Sequence, residues 1–392
     1  MAKGLLNMKK VGTVPTFLAI AIVLFLLFSF WSISLSQIFL TCALILWIIL
    51  LVTKKQKFEI PRFFWPLVAY ALLSLISSFR SVNAEVSLID SKDLLLFLVV
   101  PITYMGLREE KSLNFGNLAL VVSVWISILY SLFSHFFAPP QSQRITGFMG
   151  HYMTQAGLFL LFISLALGIL FFSRTKLRFL WGATLFFATV ILILTQTRSA
   201  WIGAAVATSV ILFLYKPKTL ILLPIILGLV FLVSPKNVKQ RVQSIFSLKD
   251  SSNIHRIEYV KTGLKIIKNY PFFGTGPDTV DMEFQLPKYG LSEDAKNNVH
   301  LHNNILQIGA ERGIPALLAW LIFLLFVFFD LIKLIKTKNP LVFPLAAGAL
   351  AALAGLFAAG FFEYNFGDSE ITTLFLYVLT IPFVAERKRI KD

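Results

Sequence analysis

The chain has 392 residues, of which 57% are hydrophobic and only 14% are charged, where a soluble domain carries about 25% charged residues. With a mean hydropathy of +0.77 and repeated apolar runs of bilayer-spanning length, this excludes an ordinary soluble protein. The net charge of +16 does not indicate a nucleic-acid binder, because the lysines and arginines lie mainly in short loops between apolar runs, where membrane orientation accounts for them.

In chain order the pattern predicts an all-α integral membrane protein with about 12 transmembrane helices, at roughly 14–31, 33–53, 62–79, 88–107, 116–137, 151–173, 178–195, 200–215, 218–234, 303–336, 340–361 and 368–386. The first run follows Lys3, Lys9 and Lys10, lacks a small-residue cleavage site and leads directly into the second, so it reads as a retained anchor. The close spacing of the seventh to ninth runs leaves a count of eleven open, and the fourth carries Asp90, Lys92 and Asp93 in its first turns. The single cysteine, Cys42, rules out an intrachain disulfide.

Placing the N-terminus in the cytoplasm puts 21 lysines and arginines of the tails and short loops on that face, against four (Arg80, Lys92, Arg144, Arg198) opposite. That asymmetry predicts both termini inside and an extracytoplasmic loop at 235–301 within a single polytopic domain, 1–392. In the loop, Arg256–Asn269 has helical spacing, with Ile257, Val260, Leu264 and Ile267 set against Lys261, Lys265 and Lys268. Such a helix belongs in the membrane interface or packed on top of the bundle. The segment from Tyr270 to Pro277 follows, where Gly274 and Gly276 either let backbone approach a phosphate or simply form a tight turn. In the eleventh run, Gly348 with Ala352, and Ala351 with Gly355 and Ala359, predict close helix packing.

Polar residues at membrane edges are few, and under this topology they fall on one face. They are Arg144, His151 and Gln155, then the turn Thr195–Ser199, then Arg256, His300, His302, Asn303, Gln307, Glu311 and Arg312, and finally Glu363, Asp368 and Glu370. This convergence points to an extracytoplasmic active site. Arg198, in a short turn rich in hydroxyls, presents a planar fork suited to phosphate, with a snorkelling interfacial arginine as the alternative. Arg256 taken alone is no better than a solvated face residue. His300 and His302 are equally plausible general bases from the residues alone, with Asn303 as a helix cap in the alternative. Asp281-Met282-Glu283 reads as a solvated loop face, so no metal is expected, and nothing suggests a nucleotide or another cofactor. The candidate substrate contacts are Asn303, His300, Arg144, Arg312, Gly274 and Gly276.

The segments Thr195-Gln-Thr-Arg198-Ser-Ala-Trp201 and His302-Asn303, with Gly313 further on, resemble the two signatures of the O-antigen ligase family. Arg256 followed by Tyr259, then Pro271-Phe-Phe-Gly-Thr-Gly276, resembles that family's loop pattern, and so does the overall layout. Tyr259 stands where tryptophan is common, and Ala316 where glycine is more frequent. The resemblance implies a GT-C-like membrane fold that transfers a glycan en bloc from undecaprenyl diphosphate to a sugar hydroxyl of lipid A-core. This would occur at the periplasmic face of a bacterial inner membrane, among membrane lipids. It implies His302 as general base, Arg198 and Arg256 holding the diphosphate, inversion at the anomeric carbon and no metal. It also admits an O-antigen polymerase or protein O-glycosyltransferase of the same superfamily. A lipid-linked sugar flippase would call for mid-membrane charges and paired repeats, which this sequence lacks.

Overall fold

The computed structural model describes residues 13–54, 56–137, 144–247 and 249–389, and among them every regular element is helical. Both chain ends, with Lys3, Lys9, Lys10 and Lys391 of the charge asymmetry, and Lys55 of the second loop lie outside the described residues. The N-terminal half comprises α1 (Thr13–Phe28), α2 (Ile33–Val52), α3 (Phe64–Phe79), α4 (Ala84–Asp90), α5 (Val99–Gly106), α6 (Glu110–Phe137) and α7 (Tyr152–Phe172). Then come α8 (Arg178–Leu194), α9 (Arg198–Tyr215), α10 (Leu222–Val233), α11 (Lys236–Gln243), α12 (Ser251–Asn269), α13 (Asn304–Lys336), α14 (Val342–Ala359) and α15 (Ser369–Arg389). Seven helices are long and apolar enough to cross a bilayer, and four shorter apolar ones accompany them, so the chain is a multi-pass membrane protein.

The run predicted at 88–107 is not one α-helix. It is α4, a 3-10 stretch at Ser91–Leu98, and α5. The acidic start that weakened the run is tied down instead, with Asp90 bridging Arg312 at 3.3 Å. The segment still runs the length of the bundle. At one end Ser87 donates to the Pro277 carbonyl at 2.7 Å. At the other, Gln56 donates to the Met105 carbonyl at 3.0 Å and Arg387 to that of Tyr104 at 3.2 Å.

Helix α14 lies at the centre, and its small residues let neighbours come in backbone to backbone, as the spacing predicted. A side chain on Gly203 of α9 would strike the Gly355 carbonyl at 2.6 Å, and one on Gly355 would meet the Gly203 carbonyl at 2.8 Å. Gly168 of α7 approaches the backbone of Pro344 and Gly348 in the same way.

Helix α13 is broken at Gly313 (φ 80°, ψ 169°), two residues before Pro315. Its 33 residues would measure about 50 Å unbroken, longer than a bilayer needs. The portion after the break suffices to span, which leaves 304–312 at the rim. The Tyr270–Pro277 segment plugs the break: Thr275 and Gly276 donate to the Ala310 and Glu311 carbonyls at 2.9 and 2.8 Å, and Ile314 donates to Pro271 at 2.8 Å. This corrects the phosphate reading of Gly274 and Gly276. The Gly274 N–H donates to Tyr270 at 3.0 Å, so both amides are already engaged by protein carbonyls. Gly274 and Gly290 share nearly the same φ (69° and 67°), but a Cβ at 274 would collide with the Glu311 carbonyl group, whereas at 290 it meets open space. Gly274→Ala is therefore expected to cost about 2 kcal/mol more than Gly290→Ala, read as the difference in thermal unfolding in detergent.

Helix α12 begins at Ser251, five residues before the predicted start. Tyr259, Thr262, Gly263 and Ile266 form its buried face, against a small second core that includes Phe284, Leu301 and Leu306. Ile257, Val260 and Leu264 are exposed. Most of the apolar stripe seen in the sequence therefore points away from the protein, while Ile267 at its end packs on the second core.

Candidate active site

Two clusters meet at the rim where α13 begins. The first centres on His302. Its backbone has φ +50°, a left-handed conformation in which histidine is among the more tolerated residues. Asn303 follows as the N-cap of α13, accepting from the Leu306 N–H at 3.0 Å and donating to the Phe361 carbonyl at 3.0 Å. Asn304 stitches the same helix start to the α14–α15 loop. Its N–H donates to Gly360 at 2.8 Å, its side-chain amide donates to Asn365 at 2.7 Å, and its side-chain oxygen accepts from Phe366 at 3.1 Å. That stitching brings Glu363 to His302, whose Nδ1 lies 3.2 Å from both carboxylate oxygens. A proton on Nδ1 satisfies this contact and leaves Nε2, which lies 3.4 Å from the side-chain oxygen of Asn298, as the nitrogen that can take up a proton. The ring also packs 4.2 Å from that of His300 and 5.6 Å from that of Tyr259.

His300 is the outer member of the pair, its Nε2 3.7 Å from Glu363. Burial, with the positive character of His302 and His151, lowers its pKa to about 4 despite the attraction of Glu363. Burial would raise Glu363, but its hydrogen bond with His302 and the charges of His302, His300 and Arg256 outweigh that and hold it below the usual carboxylate range. His300 has a folded pKa below its ordinary 6.5, so the unfolded chain binds the extra proton first. Stability present above pH 6.5 is lost as pH falls toward 4, by up to about 3 kcal/mol. Thermal unfolding between pH 7 and 5 should show this loss, and His300→Gln should flatten it.

The second cluster centres on Arg198, only 4% exposed at the start of α9. The turn before it contains Gln196 with φ +54°. Its Nη1 donates to the carbonyl and hydroxyl of Ser244, both at 3.0 Å. Its Nη2 donates to Asp250 at 3.2 Å and to Ser252 and Asn253 at 3.0 Å. The guanidinium thus wraps the turn between α11 and α12. Arg256 is half-buried, donates to the Phe362 carbonyl at 3.1 Å, and is drawn toward Glu363. Burial and the charge of Arg198 lower its pKa. Arg144 stacks on the Tyr152 ring at 4.5 Å.

Arg241 was missed by the sequence reading. Its Nε donates to the Gln196 carbonyl at 3.4 Å. Its pKa is lowered to about 10 by burial and by the nearby charges of Arg144, Arg198 and Arg256. Four arginines from four segments therefore lie near one another, with Asp250 close to Arg198, Arg241 and Arg256. Within a basic helix (Lys236, Lys239 and Arg241), no sequence signal singles out Arg241. Glu363 was on the outer-face roster but carried no role, because a partner 61 residues from His302 is invisible to spacing.

Arg312 belongs to neither cluster. Its guanidinium bridges Glu311 at 2.7 Å and Asp90 at 3.3 Å and donates to the Tyr364 hydroxyl at 3.2 Å. It borders a cavity of about 310 Å³ that is also lined by His300 and Glu363. On the membrane side an apolar groove of about 810 Å³ runs between α9, α13 and α14, lined by residues such as Phe213, Leu324 and Phe357.

His300, His302 and Glu363 each offer a donor atom, all within 4.8 Å of one another, and such a set suits zinc. The charge of Arg256 is already attracted to Glu363, and a divalent cation would have to be bound against it.

Residues 183–321 match the family described as O-antigen ligase. A protein of Haemophilus influenzae, described only as uncharacterized, is 33% identical over 178 residues, 39% of this chain and 44% of that one. The chain therefore spans less than half the length of this relative. The family match holds the Arg198 turn, Arg241, Arg256 and the start of α13; Glu363 lies beyond it.

Proposed function

We propose that this chain, which belongs to the O-antigen ligase family by its residues 183–321, transfers a glycan en bloc from undecaprenyl diphosphate to a sugar hydroxyl of lipid A-core. One observation carries the reading: a histidine–carboxylate pair, His302–Glu363, stands at the mouth of a spanning helix beside a cluster of arginines, Arg198 buried and the others half-buried. In this reaction the acceptor hydroxyl gives its proton to Nε2 of His302 as its oxygen bonds to the anomeric carbon. Glu363 holds the ring in the required tautomer and stabilises the imidazolium that forms. The bond from the anomeric carbon to the diphosphate breaks, and undecaprenyl diphosphate leaves with the electron pair. Arg256, Arg198, Arg241 and Arg144 stabilise the charge that develops there. Direct displacement inverts the anomeric centre and needs no metal.

Arg198 is fully engaged by the 244–253 turn, so donor entry requires diphosphate oxygens to replace Asp250 and Ser252. The groove between α9, α13 and α14 suits the polyprenyl chain. The exposed Ile257, Val260 and Leu264 support a seat for α12 on the lipid surface. The site then faces the periplasm, with both termini cytoplasmic in an inner membrane, and 235–301 is the periplasmic loop of a single polytopic domain.

The test is reconstitution of the purified protein with a lipid-diphosphate glycan and lipid A-core. Glycosylated core is the expected product. Extension of the donor glycan with the core unmodified would assign the protein as a polymerase. Absence of both products would overturn the reading.

A further inference from the structure

We propose that the cavity beside His300 binds the acceptor sugar and selects an uncharged or amine-bearing sugar over a phosphorylated one; this deepens the glycan-transfer reading and rests on it. The cavity, about 310 Å³, is at the small end of ligand sites and fits a sugar unit rather than a chain. It is bounded by α3, the α4–α5 run, the start of α7, the loop at 277–278, the 299–312 segment and the α14–α15 loop.

Its wall has a definite electrostatic character. Among the described residues six carboxylates line it (Asp90, Asp93, Asp278, Glu311, Glu363 and Asp368), against Arg312 as the one arginine or lysine. Some of these carboxylates are satisfied within the protein. Asp90 and Glu311 hold Arg312, and Asp368 accepts from Thr154 at 2.5 Å. Asp93 and Asp278 form no salt bridge among the described residues. None of the four clustered arginines borders the cavity.

A second feature calls for a ligand that also accepts hydrogen bonds. Arg312 is only 8% exposed, and its Nε has no hydrogen-bond partner among the described residues. A buried donor without a partner is costly. Sugar hydroxyls meet both requirements, donating to carboxylates and accepting from an arginine that borders the cavity. A phosphate would face the carboxylates at close range, and a bare cation would face Arg312. Diphosphate and acceptor thus approach from opposite sides. The arginine cluster takes the donor, and the acidic cavity takes the acceptor. Glu363 and His300 form the wall that the cavity shares with the catalytic pair.

Asp278 is the residue to change. It is exposed and sits at φ +56°, a conformation that asparagine tolerates well, so Asp278→Asn should fold normally. The measurement is direct binding of two soluble probes, an alkyl hexoside and the same hexoside carrying a 6-phosphate, to the purified protein in nanodiscs without donor. The expected result is a Kd at least tenfold lower for the neutral hexoside, with the gap at least threefold smaller in Asp278→Asn. No binding, equal or tighter binding of the phosphate, or an unchanged gap in the variant would each overturn the proposal. The two readings fail separately. Wild-type protein that binds the hexosides with this preference, yet transfers no glycan, refutes the transfer reaction and not the cavity's selectivity.

Discussion

Replacing His302 by alanine is expected to slow glycan transfer by about 10²–10⁴-fold, the range that a positioned general base contributes. Donor binding should stay within a few-fold of wild type, because the arginine cluster is left intact. Two companions make this a test of mechanism rather than of folding. Glu363→Gln preserves shape but removes the carboxylate that faces Nδ1 at 3.2 Å. It should cost at least about tenfold and alter the pH–rate profile, since Glu363 acts through His302. EDTA should leave the wild-type rate unchanged if the pair moves a proton, and abolish it if His300, His302 and Glu363 hold a metal. Full activity in His302→Ala would end the assignment of His302. His300→Ala would then be the decisive variant, because His300 also reaches Glu363 and lines the cavity.

Arg198→Ala is expected to lose both stability and activity. The guanidinium makes five hydrogen bonds to Ser244, Asp250, Ser252 and Asn253, and its removal takes from Asp250 its salt-bridge partner. Breaking a buried pair from one side costs about 3–5 kcal/mol, toward the lower end here because Asp250 is 19% exposed. The transfer rate should also fall by about 10² or more from lost stabilisation of the leaving diphosphate. Arg198→Lys keeps the charge but cannot fork to several acceptors, so it should recover part of the stability and little of the rate. Arg256→Ala gives the contrast. That side chain is half-buried and makes a single hydrogen bond, to the Phe362 carbonyl, so its loss should reduce transfer with little change in thermal unfolding. Equal destabilisation by the two alanines, with transfer intact in both, would reduce both arginines to structural roles.

These experiments address a site whose parts were unequally legible in the sequence. Hydropathy alone determined that the chain is an all-helical membrane protein, because about 20 apolar residues are what a bilayer demands whatever the neighbours are. The small residues of α14 and the capping role open to Asn303 were also local signals, and Arg198 and His302 were conspicuous because a charge or an imidazole at a membrane edge is rare. Tertiary structure decided what depends on residues far apart in the chain. It brought Glu363 to His302 through Asn304 and its partners in the α14–α15 loop, and it drew Arg241 to the Arg198 turn. It used the amides of Thr275 and Gly276 to plug the break in α13, and that of Gly274 to close its own turn on Tyr270, rather than to cradle phosphate. It also turned the apolar stripe of α12 outward, because a different face found a core to bury. Periodicity reports that a face is apolar, but only the packed chain decides whether protein or lipid covers it.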